Sequence, residues 1–149
     1  MSKIGLNFIA GSWQNGHTNV ENINPSDIED VIGHYAQADR AQLDTALDAA
    51  RSAQRKWTTT GLEARQTILM SIGNELIERR VELGTLLSRE EGKPLAEGVG
   101  EVFRAGQFFT YYAAEVLRQI GDTADSVRDG VEIDVRREPV GVVAIISPW

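Results

Sequence analysis

The 149 residues include two histidines and no cysteine, so they carry neither a thiol nucleophile nor a disulfide framework. His17 and His34 have no metal-ligand spacing with each other or with acids, and both read as surface or strand-end residues. Arg104, Gln107 and Tyr111 form a sharper constellation. They fall at i, i+3 and i+7, which places them on one face of a helix. A solvated arginine on a packing helix is the competing reading of the same residues. Three glycine-containing segments imitate phosphate loops and fail. Gly11 to His17 has His17 where a P-loop needs lysine. Gly92-Lys93 runs into Pro94, with Leu87 at the upstream glycine position, and Gly98-Val99-Gly100 meets Phe103 where a third glycine belongs. A packing or turn role suits all three better.

Charge narrows the partners further. A formal net charge of −7 and a pI near 4.8, with dispersed basic residues, argue against nucleic acid or an anionic membrane surface. The paired arginines, Arg79-Arg80 and Arg136-Arg137, sit beside acids. A 42% share of hydrophobic residues suffices for one domain with a core. The first ten residues are too short and too polar an apolar stretch for a signal peptide, and no run reaches membrane-spanning length. A cytoplasmic protein is the expectation.

The elements that must carry these residues follow from periodicity. Leu6 to Ala10 predicts a short strand, Asn15-Gly16 a two-residue hairpin turn, and Val20 to Asn24 the return strand, ended by Pro25-Ser26-Asp27. Val31 to Ala36 is another short strand. From Asp39 the period becomes helical, with Leu43, Ala46, Leu47, Ala50, Gln54 and Trp57 on one face and Asp39 with Gln42 as a capping box. Thr60 with Glu63 repeats that signal before a second helix through Ile68, Leu69, Ile72, Leu76 and Leu83. A third starts at Pro94, in a first helical position, and runs toward Gly121. Gly98, Gly100 and Gly106 weaken it by roughly 1 kcal/mol each against alanine, which points to close packing on another backbone. Val131, Ile133 and Val135 alternate with charged residues, as in a half-exposed antiparallel strand. Residues 140–146 are apolar except for Gly141 and predict a strand buried on both faces. The order suits an α/β protein cut off as its parallel sheet begins.

Three motifs together resemble the NAD(P)-dependent aldehyde dehydrogenases. Glu138-Pro139-Val140-Gly141-Val142-Val143 and Ile145-Ile146-Ser147-Pro148-Trp149 are similar to the segment leading into that family's Pro-Trp-Asn-Phe-Pro signature. Glu90-Glu91-Gly92-Lys93-Pro94-Leu95 with Glu97 resembles the linker between its second and third helices. Phe8-Ile9-Ala10-Gly11-Ser12-Trp13 and Asn24-Pro25 match its N-terminal pattern. The resemblance spans essentially the whole chain and about the first third of the family's length. Its implied fold is the N-terminal part of a Rossmann-like, three-layer αβα cofactor domain, truncated before the catalytic domain. Residues 1–120 would open that domain, 121–139 would be the strand excursion of the oligomerisation arm, and 140–149 the first buried strand of the cofactor sheet.

By that resemblance the full enzyme attacks an aldehyde with a thiolate, passes hydride to nicotinamide and hydrolyses the acyl-enzyme. The cysteine, the glutamate base and the oxyanion asparagine all fall beyond residues 1–149, so no residue here is catalytic and these residues alone are expected to be inactive. Ile146, Ser147, Pro148 and Trp149 would line the ribose–nicotinamide end of NAD or NADP, at a strand carboxyl end as in other open α/β sheets. The stretch from Arg104 to Ala113 resembles the substrate-channel helix of semialdehyde dehydrogenases, notably those for α-ketoglutarate semialdehyde. Arg104 there would hold a substrate carboxylate through paired N–H donors, with Gln107 and Tyr111 beside it. A homodimer or homotetramer is implied. The alternative is a helical interaction module or a non-catalytic remnant that binds a protein partner. It has to explain an apolar strand without cover, which leaves unpaired backbone and apolar area exposed.

Overall fold

The computed structural model describes residues 4–118 and 120–147. After a short strand, β1 (Ile4–Gly5), comes a hairpin, β2 (Asn7–Ile9) against β3 (Ser12–Gln14), in which Phe8 faces Trp13 with ring centroids 4.9 Å apart. Its turn is Ala10-Gly11, at φ 52° and 82°, the two successive positive φ values that a primed two-residue turn requires. The turn expected at Asn15-Gly16 is therefore misplaced. Gly16 instead lets the chain pass close to the backbone of Gln37, where a Cβ would collide with the Gln37 carbonyl. The return strand is misassigned too: β4 (Thr18–Ile23) pairs antiparallel with β5 (Val31–Gln37), and β1 (Ile4–Gly5) lies parallel on the other edge of β5.

Helix α1 (Arg40–Thr59) starts as expected, the Asp39 carboxylate accepting from the Gln42 N–H at 2.8 Å. Only half of the capping box forms, because the Gln42 amide donates to the Asn15 carbonyl at 2.8 Å instead of turning back. The second cap fails. Gly61 precedes α2 (Leu62–Glu78) without a side-chain cap, and the Thr60 hydroxyl donates back to the Lys56 carbonyl. The second helix is also two: it breaks at Arg79, and α3 (Arg80–Glu91) follows. Apolar spacing hides the break because α2 and α3 both pack on α4 (Leu95–Glu115) and keep their apolar faces toward it. Arg79 spans the joint, donating to Glu75 and, through two nitrogens, to Glu82.

Helix α4 begins one residue after Pro94 and ends at Glu115, short of Gly121, in a 3-10 turn over Val116–Arg118. Its glycines explain its packing. A Cβ on Gly106 would stand 2.8 Å from the Gly73 carbonyl oxygen, and one on Gly98 would stand 2.5 Å from that of Gly84. The close-packing expectation is met at these two positions and fails at Gly100, where a Cβ would meet nothing within 4 Å. The core of the described residues lies along this seam, with Val102 and Ala113 buried beside the glycines.

β6 (Asp122–Asp125) and β7 (Glu132–Val135) make an antiparallel hairpin. Pairing confirms the antiparallel strand, but both of its faces are exposed. Residues 140–146 depart furthest from expectation. They form no strand among the described residues, and Val140 and Ile146 are 94% and 93% exposed. A strand is held by its neighbours' backbone groups, and among the described residues no ladder partner pairs with this segment; helix α1 approaches it at Gly141, beside Gln54.

Candidate functional site

Helix α4 is the platform for the residues with a chemical reading. Its start is fixed by the Glu90–Pro94 segment, which works as a joint. Gly92 ends α3 in the left-handed region at φ 73°, its N–H donating to the Ser88 carbonyl at 2.8 Å. The Asn22 amide donates to Glu90 at 2.8 Å, and the Ser26 hydroxyl donates to the Gly92 carbonyl at 2.9 Å. The Lys93 ammonium lies between Glu101 and Glu91, at 2.5 and 2.6 Å. Those two carboxylates, Glu101 foremost, raise the Lys93 pKa and keep it charged. These residues therefore pin α4 to the β4–β5 loop and to α3; they form no phosphate loop.

With Val102, Gly106 and Ala113 turned inward, Arg104, Gln107 and Tyr111 stand on the outer face, all exposed. The structure thus places the three together as the spacing implied. Arg104 has no hydrogen-bond or ion-pair partner among the described residues. Phe108 is exposed on the same turns, as is Tyr112, whose ring meets that of Tyr111 edge-on at 5.2 Å. A free guanidinium beside an amide, a phenol and aromatic area can bind a carboxylate attached to a short carbon chain.

The other site residues lie at the far end of the chain. Ile146 and Ser147 are exposed, and Pro148 and Trp149 fall outside the described residues. No hydrogen bond or ion pair among the described residues joins Ile146 to the Arg104 face. Among the described residues no group of three potential metal ligands occurs, and no helix is long and apolar enough to cross a membrane. Sequence reasoning passed over Gly73 and Gly84, the partners that admit α4. Their only signal is glycine inside a helical pattern, where it costs roughly 1 kcal/mol against alanine.

Residues 13–149 match the aldehyde dehydrogenase family. The α-ketoglutarate semialdehyde dehydrogenase of Haloferax volcanii is 33% identical over 100% of this chain and 31% of its own length. The α-ketoglutaric semialdehyde dehydrogenase of Bacillus subtilis is 34% identical over 97% and 30%. Among solved structures, an aldehyde dehydrogenase from Brucella melitensis superposes with a TM-score of 0.86 at 30% identity, over 93% of this chain and 29% of that one. A succinate-semialdehyde dehydrogenase from Burkholderia pseudomallei gives 0.85 at 29%, over 92% and 29%. The chain spans about 30% of the length of the curated relatives it matches. Matching the family over residues 13–149 and superposing on these structures over more than nine-tenths of its length, the chain belongs to the aldehyde dehydrogenase family.

Proposed function

We propose that these residues serve an enzyme that oxidises a carboxylate-bearing semialdehyde, such as α-ketoglutarate semialdehyde, to the acid with NAD or NADP. The observation that carries the reading is the unpartnered Arg104 guanidinium, exposed with Gln107 and Tyr111 on one face of α4. The two semialdehyde dehydrogenases described above support it. On this reading Arg104 clamps the distal carboxylate, while Gln107 and Tyr111 orient the chain that ends in the aldehyde. Ile146, Ser147, Pro148 and Trp149 hold the cofactor end. The exposed Ile146 side chain suits the face of a flat ring. When bound, NAD or NADP accepts the hydride. Residues 121–139 form an oligomerisation arm, and the intact enzyme is a homodimer or homotetramer. With no cysteine among them, residues 1–149 alone supply no thiolate.

A chimera tests this. Residues 1–149 replace the matching segment of the Bacillus subtilis relative, and turnover is followed with NAD and NADP. Arg104→Ala in that chimera should lower kcat/KM for semialdehydes with a distal carboxylate by roughly 10- to 150-fold, the worth of a charge-assisted pair. Neutral aliphatic aldehydes should change little. Equal losses on both substrate types would mean that Arg104 supports packing, and the substrate reading would fall. The 149-residue chain alone should show no turnover.

A further inference from the structure

At the end of the Arg104 face, a groove of about 370 Å³ opens between the middle of α2 and the end of α4. Leu69, Tyr111, Tyr112, Glu115, Arg118 and Arg137 line it. Its charges do not cancel. Glu115 is the one carboxylate among the lining residues, and the Arg118 Nη1 already donates to it at 2.6 Å. Arg118 also sits in the turn that ends α4, where a cation offsets the negative pole of the helix. Arg137 is therefore in excess. Its neighbour Arg136 donates to Asp134 at 2.6 Å, whereas Arg137 has no hydrogen-bond or ion-pair partner among the described residues.

The remaining wall suits an anion with a small carbon body. Tyr111 and Tyr112 bring two phenols, which donate hydrogen bonds to oxygen. Their edge-to-face contact, at 89° between planes, limits the freedom each ring has to lose. Leu69 adds apolar area. The chain as a whole carries −7, so its overall field repels anions, and any anion held here is held by local geometry.

We propose that this groove is a small-oxyanion site, for a carboxylate or a phosphate, with Arg137 as its principal ligand and Tyr112 as a donor. It adjoins the Arg104 face and shares Tyr111 with it, but its principal ligand is a different arginine, and Arg104 precedes Tyr111 by seven residues, roughly 10 Å along the helix. It does not rest on the substrate reading above.

Arginine side-chain and tyrosine ring NMR signals of the 149-residue chain provide the test. Inorganic phosphate and glutarate are titrated in separate arms against sodium chloride at matched ionic strength. The expected result is saturable shifts of the Arg137 and Tyr112 signals in one arm or both, and the responding arm identifies the source of the oxyanion. Arg137→Gln should weaken binding at least roughly 10-fold, Arg137→Lys should weaken it less, and Arg104→Gln should leave it unchanged. Because Arg137 is exposed and makes no hydrogen bond or ion pair among the described residues, the Gln variant should keep the parent's backbone spectrum. Tyr112→Phe offers a second, milder probe with a smaller loss. Linear shifts matched by chloride, or unaltered binding in Arg137→Gln, would overturn the proposal. Shifts confined to Arg104 would overturn it while leaving the substrate reading standing.

Discussion

Arg89 holds Asp30 through two parallel donors, Nε to Oδ2 at 2.8 Å and Nη2 to Oδ1 at 2.5 Å, across 59 residues of chain. The pair ties the loop between β4 and β5 to α3. Hydrogen bonds from Arg89 first, and from Asn24 second, hold the Asp30 carboxyl at about 2. An unfolded aspartate titrates near 3.9. The folded value is the lower one, so this stabilisation is present in full above about pH 4 and is lost as pH falls through about 2. Asp30→Asn should melt below the parent at neutral pH, and the gap should close across that acid window. Curves that coincide at neutral pH, or a gap that persists unchanged down to about pH 2, would show that the ionised pair does not stabilise the native state.

Glycines in one helix should answer differently to the same change. Gly98→Ala and Gly106→Ala force a Cβ against the carbonyls of Gly84 and Gly73, and each should cost about 1–3 kcal/mol. Gly100→Ala meets open space and should gain up to about 1 kcal/mol from helix propensity. Denaturant melts of the three variants decide it. A destabilised Gly100→Ala would mean that the outer surface of α4 is covered in solution.

Ala10 occupies a left-handed position at φ 52°, which L-residues other than asparagine, aspartate and glycine rarely accept. Ala10→Asn should stabilise the first hairpin by roughly 0.5–1 kcal/mol, a share of the left-handed penalty. Unchanged hydrogen-exchange protection in β2 and β3 would argue against strain there.

The β6–β7 hairpin and residues 140–146 present apolar side chains to solvent, Val140, Ile145 and Ile146 among them, and among the described residues no further strand pairs with the hairpin's edges. Such edges recruit other chains. The 149-residue chain should run above its 16.4 kDa mass in light scattering at micromolar concentration, and Ile133→Lys with Ile145→Lys should bring it down. A monomer at every concentration would show that these surfaces are closed by some internal arrangement.

Local signals carried well from sequence to structure. The Asp39 cap, the turn at Gly92 and the stripe of Arg104, Gln107 and Tyr111 depend on residues within one or two helical turns, so spacing reveals them. Long-range partners were less legible. Asn15-Gly16 has the composition of a turn, but a glycine needed to pass Gln37 looks identical in sequence. The break at Arg79 leaves no gap in the apolar pattern because one helix receives both halves. Residues 140–146 read as a buried strand from apolar content alone, yet a strand is a property of its neighbours, and no described strand pairs with this segment. The Asp30–Arg89 clamp and the Arg137 groove have no periodic signature.

Gly92 has one further consequence. A Cβ at that position would stand 2.6 Å from the Ser26 hydroxyl oxygen and 2.8 Å from Pro25, at a φ that side chains rarely adopt in any case. The glycine of the Glu-Gly-Lys-Pro sequence and the Asn-Pro-Ser bend near the N-terminus are thus two halves of one mould, although 66 positions separate Ser26 from Gly92. Lineages of this family should inherit the two halves together. Where descent has replaced the glycine, the bend should have been shortened or refashioned in the same branch, and a hybrid taking one half from each ancestor should mature poorly however well its remaining parts agree.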